Sequence, residues 1–146
     1  MPLLNELKQH RILLDTHVWL WAMSGNVTLS KQFVRHFERA SMAGKAFLSP
    51  MSIWETGMLV QKERIDLELD PLEWVNQAIE LSGIQLCPLT PPIAIQSSRL
   101  PGTLHGDPVD RLLIATAAEL KLVLVTCDQK ILNYSTETLL NAFNPR

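Results

Sequence analysis

The chain has 146 residues, a length at which one domain buries roughly 68–70% of the surface its unfolded form exposes. Hydrophobic residues make up 47% and charged residues 19%, which excludes a disordered tail and a coiled coil. Thirteen Lys and Arg against fifteen Asp and Glu leave a net charge of −2, so this is no polybasic binder of phosphate backbones. Any chemistry on nucleic acid must sit in a local site.

The elements follow from punctuation and periodicity. Residues 1–10 form an extension with no apolar stretch of signal-peptide length. Ile12-Leu13-Leu14 reads as a buried strand stopped by Asp15. A helix is expected from about Val18 to Met23, ending at Ser24-Gly25-Asn26. Ser30 caps a second helix, with Phe33, Val34, Phe37 and Ala40 on one face. Ala46 to Ser49 is a short strand, followed by a helix from Ile53 to about Gln61. Asp70-Pro71 starts a helix that stops at Gly83, and Ile84 to Leu86 can be a third strand.

Thr90-Pro91-Pro92 starts the next helix, and Asp107-Pro108 opens a long apolar one that runs to about Leu120. Leu122 to Thr126 is continuous and β-branched, as a strand covered on both faces should be. Beyond Asp128 the pattern weakens, with a short edge strand expected near Leu139–Phe143. Strands alternating with helices imply a mostly parallel sheet. The expected fold is thus a single α/β/α sandwich over residues 1–146, with four or five strands. Ligands of such sheets bind beyond the carboxyl ends of the strands.

Four carboxylates are expected on that rim: Asp15 after the first strand, Glu55 and Asp110 in the first turns of their helices, and Asp128 after the last central strand. Local capping accounts for each alone. Ser52-x-x-Glu55 is a formal capping box, Asp107 and Asp110 repeat its spacing, and acids in a first turn suit the helix dipole. Capping does not explain convergence of residues so distant in the chain. Two carboxylates about 4 Å apart repel by roughly 4 kcal/mol at an effective dielectric near 20, which protons or a cation must relieve. An all-oxygen donor set suits Mg²⁺ or Mn²⁺, ions that orient water for attack on a phosphodiester.

These residues resemble a known family. Asp15-Thr16 after an apolar strand, Ser52-x-x-Glu55, His105-x-Asp107-Pro108-x-Asp110-Arg111 with Leu113-Ile114-Ala115 behind it, and Thr126-x-Asp128 look like a PIN domain of the VapC toxin type. The segment Trp54-Glu55 to Lys62-Glu63-Arg64-Ile65 fits the same group, and the likeness runs from about Arg11 to Ile131. It implies a Mg²⁺- or Mn²⁺-dependent endoribonuclease, the toxin of a toxin–antitoxin pair, with an RNA substrate, a homodimeric state and a small antitoxin covering the acidic pocket. Asp15, Glu55, Asp110 and Asp128 match its metal-binding and catalytic positions. Two rivals remain: a phosphatase or phosphotransfer domain using the same rim, and a non-catalytic module binding a basic peptide.

Other residues were weighed against plainer roles. Thr16 is either a hydroxyl donor to a neighbouring carboxylate or an N-cap, and Asp107 is an N-cap first and a site residue second. Arg111 is expected to pair with Asp107 rather than meet phosphate. His17, two past Asp15, would point away along a continuing strand and is assigned to packing; His105 is taken to order Asp107, and Lys130 to be solvated. Trp19, Trp21, Trp54 and Trp74 are expected in the core or an interface rather than as base-stacking platforms. Cys87 and Cys127 fit neither a zinc pattern nor a disulfide framework, so a reducing cytoplasm is expected. No run approaches the roughly 18 apolar residues of a membrane span.

Overall fold

The computed structural model describes residues 3–104 and 106–146. Five strands form one parallel sheet in the order β3-β2-β1-β4-β5. They are β1 (Ile12–Leu14), β2 (Ala46–Leu48), β3 (Gln85–Leu86), β4 (Val123–Val125) and β5 (Ala142–Phe143). The helices are α1 (Leu4–Leu7), α2 (Thr16–Ser24), α3 (Lys31–Met42), α4 (Pro50–Gln61), α5 (Pro71–Ser82), α6 (Pro91–Ser98), α7 (Pro108–Leu120) and α8 (Gln129–Glu137). Among the described residues no helix is long and apolar enough to cross a membrane.

Strand alternation sorts the core into two layers. Ile12, Leu14, Val123 and Val125 pack on one face with Trp19 of α2, Phe33 and Phe37 of α3, and Val75 of α5. Leu13 and Leu124 face the other way, onto Leu113 and Ile114 of α7 and Ile131 of α8. The central strands are therefore apolar on both faces, and each fully buried Leu or Val contributes about 1.5–3 kcal/mol. The extension is tied to this core: Leu7 of α1 is fully buried within it.

The chain leaves β1 toward β2 and β3 on one side, then crosses to β4 and β5 on the other. The strand order thus reverses between β1 and β4, and a crevice opens beyond their carboxyl ends at that point. Ile12 pairs with Val123 and Leu14 with Val125, so the two strands end level.

Three boundaries differ from the sequence expectation. Helix α2 begins at Thr16, because Asp15 caps it at once. Helix α4 begins at Pro50, not Ile53: Ser49 is the N-cap, its hydroxyl accepting from the Met51 N–H at 3.1 Å. Ser52-x-x-Glu55 is therefore no capping box, and Glu55 lies in the second turn. Proline at the first helical position, which marked α5 and α7, was the overlooked signal here. Beyond Asp128, α8 is an amphipathic helix burying Ile131, Leu132 and Tyr134, and β5 joins the sheet parallel to β4.

Candidate active site

The site begins at Asp15. Its N–H donates to the Val125 carbonyl at 2.9 Å, so the last rung of the sheet fixes its backbone. Its φ of −63° and ψ of 154° are extended, and the chain turns into α2 immediately after. Oδ1 accepts from the Thr16 N–H at 2.7 Å, and Oδ2 accepts from the Thr126 hydroxyl at 2.7 Å. The side chain is only 8% exposed. Burial pushes its carboxyl above the usual range, although the Thr126 and Thr16 hydrogen bonds and His17 oppose the shift; Glu55 adds to it.

Thr126, fully buried after β4, was quoted in the sequence only as part of a motif. Its hydroxyl also accepts from the Asp128 N–H at 3.0 Å. One hydroxyl thus relays from the Asp128 backbone to the Asp15 carboxylate. Asp128 caps α8, and Oδ1 accepts from the Lys130 and Ile131 N–H groups at 2.8 and 3.4 Å. Lys130 is exposed.

Asp110 occupies the first turn of α7, capped by Asp107, whose Oδ1 accepts from the Val109 N–H at 2.8 Å. The Asp110 carboxyl is pushed up to about 7. Burial is the largest cause, and the charges of Asp15, Asp107, Asp128 and Glu55 each raise it further. Those four carboxylates therefore surround Asp110, brought there by four separate helices. Asp107 itself is exposed at the rim.

Several other residues sit where the sequence did not place them. The Thr16 hydroxyl donates to Ser52 Oγ at 2.9 Å, neither capping nor meeting a carboxylate; the buried pair binds α2 to α4. Arg111 does not turn to Asp107: Nε and Nη1 donate to the Ser97 and Leu104 carbonyls, both at 2.8 Å. It clamps the loop before α7, where a Cβ on Gly106 would meet its Cδ at 2.8 Å. His17 is exposed, because the strand stops at Leu14 and the first turn of α2 swings the imidazole back to the rim. His105 lies outside the described residues. Of the tryptophans, Trp19 is fully buried and meets Trp74 edge-on, whereas Trp54 is 55% exposed.

Four of the carboxylates open onto two clefts, and Asp110 lines neither. Asp15 and Asp128 line one of about 210 Å³ with His17, Cys127 and Arg146, which the sequence reading missed. Pro145 delivers Arg146 there, its carbonyl accepting from the Ser30 N–H at 2.9 Å. Glu55 and Asp107 line the other, of about 320 Å³. Larger hollows of about 380 and 400 Å³ around Ala22 and Val34 share none of these carboxylates.

Among the described residues no group of three or more acids, histidines or cysteines is placed to hold a metal ion. The donor set nonetheless fits a hard divalent ion. Mg²⁺ keeps several of its waters and needs only one or two protein carboxylates, and the charge crowding around Asp110 is what such a cation would relieve.

The PIN domain family model matches residues 12–136. Ribonuclease VapC22 of Mycobacterium tuberculosis is 33% identical over 123 residues, 82% of this chain and 88% of that protein. The chain belongs to the PIN-domain family. Two solved structures share its fold: VapBC2 from Rickettsia felis bound to a DNA fragment from their promoter, and a toxin–antitoxin complex from Klebsiella pneumoniae. The first aligns at a TM-score of 0.68 and 16% identity over 91% of this chain and 97% of the other. The second aligns at 0.59 and 18% over 92% and 98%.

Proposed function

We propose that this protein is a divalent-metal-dependent endoribonuclease and the toxin of a type II toxin–antitoxin pair. The observation that carries the reading is the convergence of Asp15, Glu55 and Asp128 on Asp110 at the strand ends, where burial first and their charges second push its carboxyl up to about 7. It is supported by family membership and by the relative named a ribonuclease. The reading takes residues 1–146 as one domain, working in the cytoplasm as a homodimer and held inactive by an antitoxin over the acidic rim.

Asp15 and Asp110 would hold Mg²⁺ or Mn²⁺, with Glu55 and Asp128 completing the carboxylate set. Bound there, such an ion offsets the carboxylate charge, polarises a phosphoryl oxygen and lowers the pKa of a water. The remaining work falls to the chain. Thr126 and the Thr16 N–H fix both Asp15 oxygens, so the carboxylate cannot rotate when substrate arrives. Arg146, which lines the cleft with Asp15 and Asp128, supplies positive charge for the entering phosphate.

The test is cleavage of a labelled RNA with Mg²⁺ or Mn²⁺, with EDTA, and by Asp110→Asn. Cleavage by the metal-loaded protein alone is the expected result. Persistence in EDTA or in the variant contradicts it, and turnover of small phosphomonoesters in place of RNA assigns the rim to a phosphatase.

A further inference from the structure

The cleft beside Glu55 differs in character from the rim it adjoins. Trp54 comes one residue before Glu55 on α4, yet its indole is 55% exposed and lines the cleft. Met58, one turn on, adds an apolar wall. Lys62 at the C-cap of α4 and Arg64 just beyond it bring two cations to the same cleft. A cation at a helix C-terminus suits the dipole, which accounts for Lys62 alone. It accounts neither for Arg64 nor for an indole left in solvent beside them.

An aromatic face with adjacent cations, running into a phosphodiester-cutting centre, has the chemistry of a nucleotide subsite. Bases stack on aromatic faces whatever their identity, while Lys and Arg meet the backbone. Only unpaired strands offer a free base face. We propose that this cleft seats the nucleotide next to the cleaved bond of single-stranded RNA, with its base on Trp54 and its phosphate on Lys62 and Arg64. The proposal rests on the ribonuclease reading and adds a subsite to it. Glu55 and Asp107 line the same cleft and balance the two cations in sum, so a nucleotide is favoured by the exposed indole beside those cations and by the cleft's continuity, through Glu55, with the carboxylate rim.

The test uses the full chain with Mg²⁺ and a short labelled single-stranded RNA, varying salt. Trp54→Ala is expected to raise KM roughly 5- to 150-fold with kcat little changed, and Trp54→Phe to recover most of the loss. Lys62→Ala and Arg64→Ala should each flatten the slope of log(kcat/KM) against log salt by about 0.7. If wild-type protein cuts RNA while all four variants keep its KM and salt slope, the subsite is refuted and the ribonuclease reading stands. A wild-type chain inert on RNA removes both. Loss of the oligomer in Trp54→Ala, measured by sedimentation, assigns the indole to a contact between copies and overturns the subsite. Should Trp54→Ala fail to fold, the salt slopes of the two cation variants decide.

Discussion

Asp15 and Asp70 do the same local job with opposite consequences. Each is an aspartate at a helix N-cap. Asp70 Oδ2 accepts from the Leu72 and Glu73 N–H groups at 3.1 and 3.3 Å, out in solvent on α5. Asp15 caps α2 through the N–H of Thr16, the first helical residue, but it is buried at the end of the central strand, and its second oxygen is held by Thr126 just after β4. An N-cap is therefore a local device that tells nothing about function by itself. What separates the two is position in the sheet: one ends a loop, the other stands at the strand-order reversal among other carboxylates.

The largest effect should separate the two in activity. Asp15→Asn is expected to lower RNA cleavage by about 10²-fold or more at fixed metal, the scale of a lost positioned acid or base. Asp70→Asn should cleave at the wild-type rate. Equal losses in both, measured with the same labelled RNA, would erase the distinction.

Next comes the bond that only Asp15 has. Thr126→Val leaves a buried carboxylate oxygen without its donor and should cost about 1–3 kcal/mol in urea unfolding at neutral pH. It also removes an interaction that holds the Asp15 carboxyl down, so that group rises further and the cost shrinks in acid, where protonation removes the buried charge. For comparison, Asp70→Ala should lose about 0.5–2 kcal/mol with no pH signature of this kind.

The remaining effect concerns pH. With Asp110 at about 7 in the fold and near 3.8 in the unfolded chain, the folded state binds more protons between those values. Stability of the metal-free protein from this group is thus greatest below about pH 4 and falls as pH rises toward 7. Asp110→Asn should flatten that slope in Tm measured across the range, and a slope of opposite sign for this residue would contradict the crowding around it.

The architecture was legible because its signals are local. Capping aspartates, Pro at the first helical position and apolar triplets such as Ile12–Leu14 write their own geometry. The start of α4 was lost because Ser52-x-x-Glu55 imitates a capping box, while the real N-cap is Ser49, three residues earlier and followed by Pro50. Helix α8 is plainly amphipathic, with Ile131, Leu132 and Tyr134 on its buried side, but it has only nine residues, so the stripe was too short to stand out in the sequence.

At the site, the positions of Asp15, Asp110 and Asp128 were legible because strand ends and helix starts place them, whereas Glu55 lies in the second turn of α4 and not the first. Their supports were not legible. The Thr16–Ser52 and Thr126–Asp15 hydrogen bonds join residues 36 and 111 positions apart, and only the folded sheet brings them together. Arg111 went to two carbonyls rather than to Asp107 because the loop ahead of α7 folds over it. Arg146 left no signal at all beyond its charge.

The most direct test of the account is a calorimetric titration of Mn²⁺ into the metal-free protein, wild type against Asp110→Asn and Asp70→Asn. One saturable binding event is expected in the wild type, preserved in Asp70→Asn and weakened at least about tenfold in Asp110→Asn. Equal Mn²⁺ affinity in all three proteins would contradict the claim that these remote carboxylates form one cation site.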